Sequence, residues 1–241
     1  MPSAQMVIAT RGAASSRINK AAEARRARHR LYPVSFVYTA YATSLLVLAL
    51  RTERWAVAFV FYALGFAVWT WIEYEVHRYI LHGRFPDGPG PWQHFLHKAF
   101  DHLHWEHHSR PWDGNHVNGT LKDTAPFVLL FSALAFTFEA VAPSFAWTVT
   151  LLVAGVAQAY IIEEWVHQSV HFYDLRGSYW RYIRRHHMFH HSPKGTDVGF
   201  GLTNGFWDIV YDTRIPAGMR ARLYARRRVD RGRREQSQPA L

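Results

Sequence analysis

The sequence predicts an all-α integral membrane protein: a bundle of four transmembrane helices under a cytosolic, histidine-rich helical cap. Three observations predict it. Four apolar runs, at about 34–50, 55–72, 125–143 and 146–162, are close to the roughly 20 residues that cross a bilayer. Ten histidines fall into four groups, and each group follows the second or the fourth run, so an up-and-down path gathers them at one end. The basic stretches KAAEARRARHR and RARLYARRRVDRGRR lie at that same end, which the positive-inside rule makes cytoplasmic, together with both termini.

Taken in order, residues 1–30 are rich in Ala, Ser and Arg without a wide apolar stripe, and are expected to form a basic cytosolic arm in which His29 is a surface residue. MPSAQMVIAT lacks the basic start and sustained apolar run of a cleaved leader. The membrane domain is expected over 31–216. Its first span, VSFVYTAYATSLLVLAL, ends in the polar turn RTER. The second span continues into EYEVHRYILH without a Gly or Pro before Gly83, as a helix leaving the membrane with ligands on it would. GRFPDGPGPW is a loop; QHFLHKAFDHLHWEHH reads as a short helix, broken by SRPWDGNHVNGT. The third and fourth spans meet at a turn near Pro143, and the fourth leads into EEWVHQSVH. Glu139 marks either the interface end of the third span or a polar contact within the membrane. The cap is expected over 73–118 and 163–212, followed by a basic tail over 217–241.

Composition narrows the chemistry. With no cysteine, structural disulfides, Cys-ligated zinc, iron–sulfur clusters and thiol nucleophiles are all excluded. A hydrophobic content of 49% is rich for a soluble chain. The net charge of +10 sits mainly in the two tails beside apolar segments, a topology signal rather than a nucleic-acid surface.

The histidines then carry the argument. His104, His107 and His108, like His187, His190 and His191, stand at i, i+3 and i+4; His167 and His171 stand at i and i+4. On a helix such positions share a face. His77 and His82, at i and i+5, would point roughly 140° apart on a regular helix. Either that helix unwinds near His82 or the two serve different ions. Burying so many imidazoles without partners would cost a few kcal/mol each, about 2 or more on transfer scales. Metal binding removes that cost. Imidazole accepts zinc, copper, iron and nickel alike, but a zinc ion takes about three or four protein ligands, whereas ten shared by two ions leaves each about five and one open position. An open, paired, all-nitrogen site suits dioxygen-activating di-iron. HExxH is absent, against a zincin protease, and Glu-x-x-His occurs once, at Glu164–His167, against a carboxylate di-iron bundle. Nearby acids are Glu73, Glu75, Glu106, Asp113, Glu163, Glu164, Asp197 and Asp208. Of these Glu164 and Asp208, with Asp113, are expected to orient ligands through their second ring nitrogen. Tyr173, Asn204 and Trp207 are expected to line a substrate pocket.

HRYILH, HWEHHSRPWD, HQSVH and HHMFHH followed by GFGLTNGFWD resemble the fatty acid hydroxylase superfamily, the membrane di-iron group of fatty acid 2-hydroxylases, sterol desaturases, C4-methyl oxidases and carotenoid hydroxylases. The likeness is strongest to the 2-hydroxylase branch and extends from about Glu73 to Thr213. Carried over by motif, it implies ten ligands: His77, His82, His104, His107, His108, His167, His171, His187, His190 and His191. His94, His97, His102, His116 and His186 fall outside the matched positions. It implies two iron ions, zinc being able to replace them in purified protein, with O2 as co-substrate. The expected reaction is hydroxylation of a fatty acid or acyl chain at C2. Relatives often carry a fused cytochrome b5 domain; none is visible here, so an external donor, cytochrome b5-like or a ferredoxin type with its reductase, is expected. Glu164 stands where Asp is common in the nearest relatives. The alternatives are a sterol or carotenoid hydroxylase or desaturase of the same superfamily and, outside enzymes, a histidine-rich metal-binding membrane protein. The basic tails are read as topology markers in preference to a docking surface for an acidic donor or anionic lipid.

Overall fold

The computed structural model describes residues 19–98 and 103–223, and among them all regular structure is helical. α1 (Lys20–Leu50) starts at Asn19, whose side-chain oxygen accepts the Ala22 amide at 3.2 Å, satisfying one of the amides that a helix start leaves bare. Its buried positions Ala24, Ala27, Leu31, Val34, Tyr38, Ala42, Leu45 and Ala49 recur every three or four residues, a single seam along one side. At about 1.5 Å per residue the helix is about 46 Å long, more than the ~30 Å hydrocarbon layer can cover.

Residues 20–30, expected as part of an arm, are therefore the first turns of α1. They are fastened to the cap: Glu23 accepts the Gly114 amide at 2.9 Å, the Lys20 ammonium lies 4.0 Å above the Trp112 ring, and Arg28 donates to the Tyr173 hydroxyl. No apolar stripe was visible here because small residues, Ala24 and Ala27, do the packing. His29 is exposed. Residues 1–18 of the arm and 224–241 of the tail lie outside the described residues; 217–223 of the tail are helical.

α2 (Trp55–Glu75) runs on into a π-helical turn, Val76–Leu81. Of the helix expected over 93–108, the described parts are helical: α3 (Pro91–Leu96), continued by a π turn at 97–98, and α4 (Leu103–Ser109); residues 99–102, Phe100 and His102 among them, lie outside the described residues. α5 (Leu121–Val141) follows. A 3₁₀ turn at Pro143–Phe145, where a turn is expected, leads to α6 (Val149–Phe172). α7 (Ser178–His190) and the short α8 (Phe206–Val210) complete the cap.

Four of these helical stretches are long and apolar enough to cross a membrane. α6 is their centre, with α1, α2 and α5 packed around it. Against α1 it buries Ala157, Tyr160 and Ile161 on Leu31, Val34 and Tyr38, and nearer the other end Leu151 and Ala154 on Ala42, Leu45 and Ala49. Against α2 the contact is backbone to backbone. A Cβ on Gly65 would stand 2.4 Å from the Leu152 carbonyl oxygen, and one on Gly155 2.1 Å from that of Tyr62. Small residues at the crossing permit this approach. α5 is peripheral, tied to α1 by Tyr38–Thr124 and Tyr41–Ser132 hydroxyl pairs at 2.7 Å, with Leu129, Leu130, Phe131 and Leu134 facing outward. Glu139 lies at the end of α5 and accepts the Trp147 and Thr150 amides and the Thr150 hydroxyl, capping the start of α6.

Gly155→Val is expected to cost about 3 kcal/mol or more, because its added carbons meet a main-chain carbonyl that cannot yield. Gly218→Ala, which meets nothing within 4 Å, is expected to be neutral. Thermal melting of the two solubilised variants beside the parent checks the pair.

Candidate metal centre

Four elements deliver the ten imidazoles, and helical geometry decides where each goes. At the end of α2 the His82 amide donates to the His77 carbonyl at 3.0 Å, an i to i+5 bond that widens the turn. Residues five apart then share a face. Of the two alternatives for this pair, the helix does loosen, and both rings enter one group.

On α4, His104 and His108 are nearly in line, whereas His107 is turned about 100° from His108 at 100° per residue. α7 repeats the pattern with His187, His191 and the odd residue His190. Each motif thus gives an i, i+4 pair to one group and its middle histidine to the other. The first group is His77, His82, His104, His108 and His190; the second is His107, His167, His171, His187 and His191. In each, one pair comes from the end of a span, one pair from a cap helix, and the fifth ring crosses from the opposite cap helix. The groups abut through stacked His108 and His191 rings, centroids 4.2 Å apart.

Every ring offers Nε2. In the first group the Nε2 atoms of His77 and His104, of His82 and His190, and of His104 and His108 are 2.9, 2.9 and 3.0 Å apart. In the second, His107–His167, His167–His171, His171–His187 and His187–His191 are 3.1, 3.2, 2.9 and 3.0 Å. Nitrogens at about 2.1 Å from a shared cation and at right angles to each other are about 3.0 Å apart, so these spacings fit a coordination sphere. Seven of the ten rings are buried, and only His82, His108 and His191 are partly accessible. Burial, with repulsion between neighbouring imidazoles, lowers His82 to about 3; burial lowers His190 to about 4 and His104, His107 and His187 well below the usual range. The rings stay neutral and keep the lone pair that a metal needs.

Two of these lone pairs are fixed by the loop before α8. His77 donates from Nδ1 to the Phe200 carbonyl, and His190 donates from Nδ1 to that of Val198 at 2.9 Å, which leaves each Nε2 bare. The loop is itself clasped by two buried carboxylates. Asp208 accepts the Phe200 and Gly201 amides at 2.9 and 3.0 Å, the Thr213 hydroxyl at 2.7 Å and His186 Nε2 at 3.1 Å. Burial opposes ionisation of Asp208, but these hydrogen bonds, led by that from His186, prevail and hold it below the usual carboxylate range. Glu73 accepts the Leu202 and Thr203 amides at 2.5 and 2.8 Å and the Thr203 hydroxyl at 2.7 Å. Gly199 has φ +72, and a Cβ on Gly201 would stand 1.8 Å from the Asn204 carbonyl oxygen, so the GFG turn needs its glycines.

The other candidates are placed differently from one another. Glu164 accepts the Gly119 amide at 3.1 Å and so holds the loop after α4. Asp113 shapes the turn that follows α4, accepting the Asn115 amide at 3.0 Å and standing 3.5 Å from Arg110. Tyr173 is engaged by Arg28 and, through its carbonyl, by Arg184. Asn204 braces its own turn, and Trp207 donates to Thr70 of α2 at 3.1 Å. Glu73, one of the nearby acids but not selected from the sequence, had a visible signal: it precedes His77 by one helical turn on the same face. Each group also has a tryptophan against it: Trp105 on His82 and His108, Trp112 on His171.

A helical membrane bundle bearing two interlocked groups of five imidazoles at one end defines a class of polytopic, histidine-rich membrane proteins. Residues 62–213 match the fatty acid hydroxylase family, and the chain belongs to it. It is 29% identical over 158 residues to the fatty acid 2-hydroxylase of Rattus norvegicus, covering 64% of this chain and 39% of that protein. It is also 29% identical over 150 residues to the dihydroceramide fatty acyl 2-hydroxylase FAH1 of Arabidopsis thaliana, covering 62% and 58%. The chain thus spans about two fifths to three fifths of these relatives. The solved scs7p structure, in which only the hydroxylase domain is visible, shares the fold with a TM-score of 0.62 at 24% identity, over 77% of this chain and 67% of that one.

Glu73→Gln and Asp208→Asn are each expected to weaken metal binding about 10–100-fold, chiefly in the group containing His77 and His190; competition against a chelator, read as one of two binding steps, measures this. Metal-free protein is expected to lose stability as the pH falls from 6.5 toward 4 and 3, since the unfolded chain takes up protons that folded His190 and His82 refuse. Melting temperature against pH, with and without added divalent metal, gives the slope; a rise on acidification would contradict the burial argument.

Proposed function

We propose that this chain is a membrane hydroxylase that uses O2 and two iron ions to hydroxylate a fatty acid, or the acyl chain of a ceramide-type lipid, at C2. The observation that carries the reading is the pair of five-imidazole groups, mostly buried and held neutral, set where two membrane spans end. Each ion would be held by one group, the first by His77, His82, His104, His108 and His190, the second by His107, His167, His171, His187 and His191. Five nitrogens leave about one position free on a six-coordinate ion. When bound, iron supplies the activation of dioxygen that an unactivated C–H bond requires.

The chain's own residues do the rest. The span ends and cap helices hold the rings in register, and the clasped loop keeps His77 and His190 in one tautomer. The outward faces of α2 and α5 are apolar, so a lipid substrate can approach from the bilayer. The names of the curated relatives, fatty acid and ceramide hydroxylases, favour an acyl chain over a sterol or carotenoid. Lys20, Arg25, Arg26, Arg28 and Arg30 at the histidine end of α1, against Arg51 and Arg54 at the far end, support a cytoplasmic cap. Electrons come from an external donor of cytochrome b5 or ferredoxin type. The hydroxylase unit is assigned to 31–216 together with the first turns of α1.

The test is production of 2-hydroxy acyl lipids by membranes containing the chain, a donor system and reduced iron under ¹⁸O2. Label is expected in the new hydroxyl, and the crossing-ring variants His107→Ala and His190→Ala are each expected to lower the yield by about 100-fold or more. Absence of labelled product with every acyl lipid and a competent donor would refute the proposal.

A further inference from the structure

The two histidine groups are served unequally at the ring nitrogen that faces away from the ion. An ion held by all five rings of a group needs every Nε2 bare, so each neutral ring must carry its proton on Nδ1. Where that N–H is buried it needs an acceptor, and leaving it without one is costly.

In the first group acceptors are in place. His77 and His190 donate to the Phe200 and Val198 carbonyls, and the His82 and His108 rings are partly accessible. Among the described residues, no imidazole nitrogen of this group is both buried and without a partner. The second group differs. Nδ1 of His107, of His187 and of His191 is buried with no acceptor. The Pro111 carbonyl lies beside His171, yet Nδ1 of that ring closes no hydrogen bond, and His167 has the Val117 carbonyl within bonding reach. The loop before α8 thus turns its carbonyls to the first group, whereas the loop after α4 turns its own toward α6 and leaves His107, His187 and His191 unserved.

The Nε2 contacts widen the difference. In the second group they run unbroken from His107 through His167, His171 and His187 to His191, at 2.9 to 3.2 Å. In metal-free protein some of these nitrogens can keep a proton and donate it to a bare neighbour. Taking up an ion moves those protons to Nδ1, where three rings have nothing to receive them. His77 and His190 of the first group already hold the tautomer that an ion requires.

We propose that the two ion sites are unequal: the group of His77, His82, His104, His108 and His190 fills first and keeps its ion, and the group of His107, His167, His171, His187 and His191 fills second and exchanges it. The inference rests on the proposed function only in taking each group as the seat of one ion, and it holds whether or not the chain oxidises a lipid. On that reading the second group is where scarcity of metal first stops the enzyme.

Zinc is the probe, because imidazole sites accept it and it has no redox chemistry. The full chain in nanodiscs, stripped of metal, is titrated with zinc against a competing chelator. Two steps of one ion each are expected, about 10–100-fold apart in affinity, the effect of an outer hydrogen-bond partner. When loaded protein is exchanged against isotopically labelled zinc, one ion should leave about tenfold faster than the other, or more. His107→Ala should remove the weaker step and His190→Ala the tighter one. Asp208→Asn, which loosens the loop without removing a ligand, should bring the two steps together. If a histidine variant does not fold, the isotope exchange of the parent and the Asp208→Asn titration decide. Two ions taken up in a single step and exchanged at a single rate overturn the proposal, as does loss of the tighter step in His107→Ala. Zinc bound by neither group would end both this inference and the metal reading of the function; two equal ions would end this one alone.

Discussion

Ten bare imidazole nitrogens held within about 3 Å of their neighbours are the constraint on which everything else in this protein depends. Neutral rings with lone pairs pointing inward repel, and no arrangement of shared protons satisfies five at once. The fold has to impose the crowding, and a cation held in each group would relieve it. The architecture follows from that need. Long helices bring two pairs of rings to the same height, and short cap helices supply the remaining six. Burial keeps protons away from the nitrogens that the cations require.

Carboxylates inside the cap serve the loop and not the metal directly. Glu73 and Asp208 accept main-chain amides of Phe200 to Thr203, and the carbonyls of that loop then accept from His77 and His190. Charge is thus kept one layer away from the rings. An acid bonded directly to Nδ1 would make the imidazole more basic; a carbonyl fixes the tautomer with a smaller effect. The glycines at 199 and 201 permit the tight turn on which this depends.

Much of this was legible in the sequence. The spans were readable because a bilayer demands long apolar runs, and the i, i+4 pairs because a helix has a fixed period. The five-residue gap between His77 and His82 was legible as an anomaly, and its resolution, a widened turn, required the main-chain bond between them. That each cap cluster splits into an i, i+4 pair and an odd ring follows from the helical period, but which group each part joins was not written in the motifs: both clusters read alike, and their placement in space sends His107 and His190 across. Carbonyl partners such as Phe200 and Val198 leave no trace in side-chain identity. Glu73 could have been found from its spacing to His77. The start of α1 was hidden because alanines pack without raising the hydrophobicity of a basic segment.

The glycine crossing in the membrane has a metric consequence for the far end of the bundle. α2 and α6 run in the same direction, and Gly65 and Gly155 each precede the first histidine of their helix, His77 and His167, by twelve residues. Two arms of equal length, about 18 Å at the helical rise, therefore leave a common fulcrum and arrive level. The pin that aligns the imidazoles lies within both spans, where backbone meets backbone and a side chain on either glycine would strike a main-chain carbonyl.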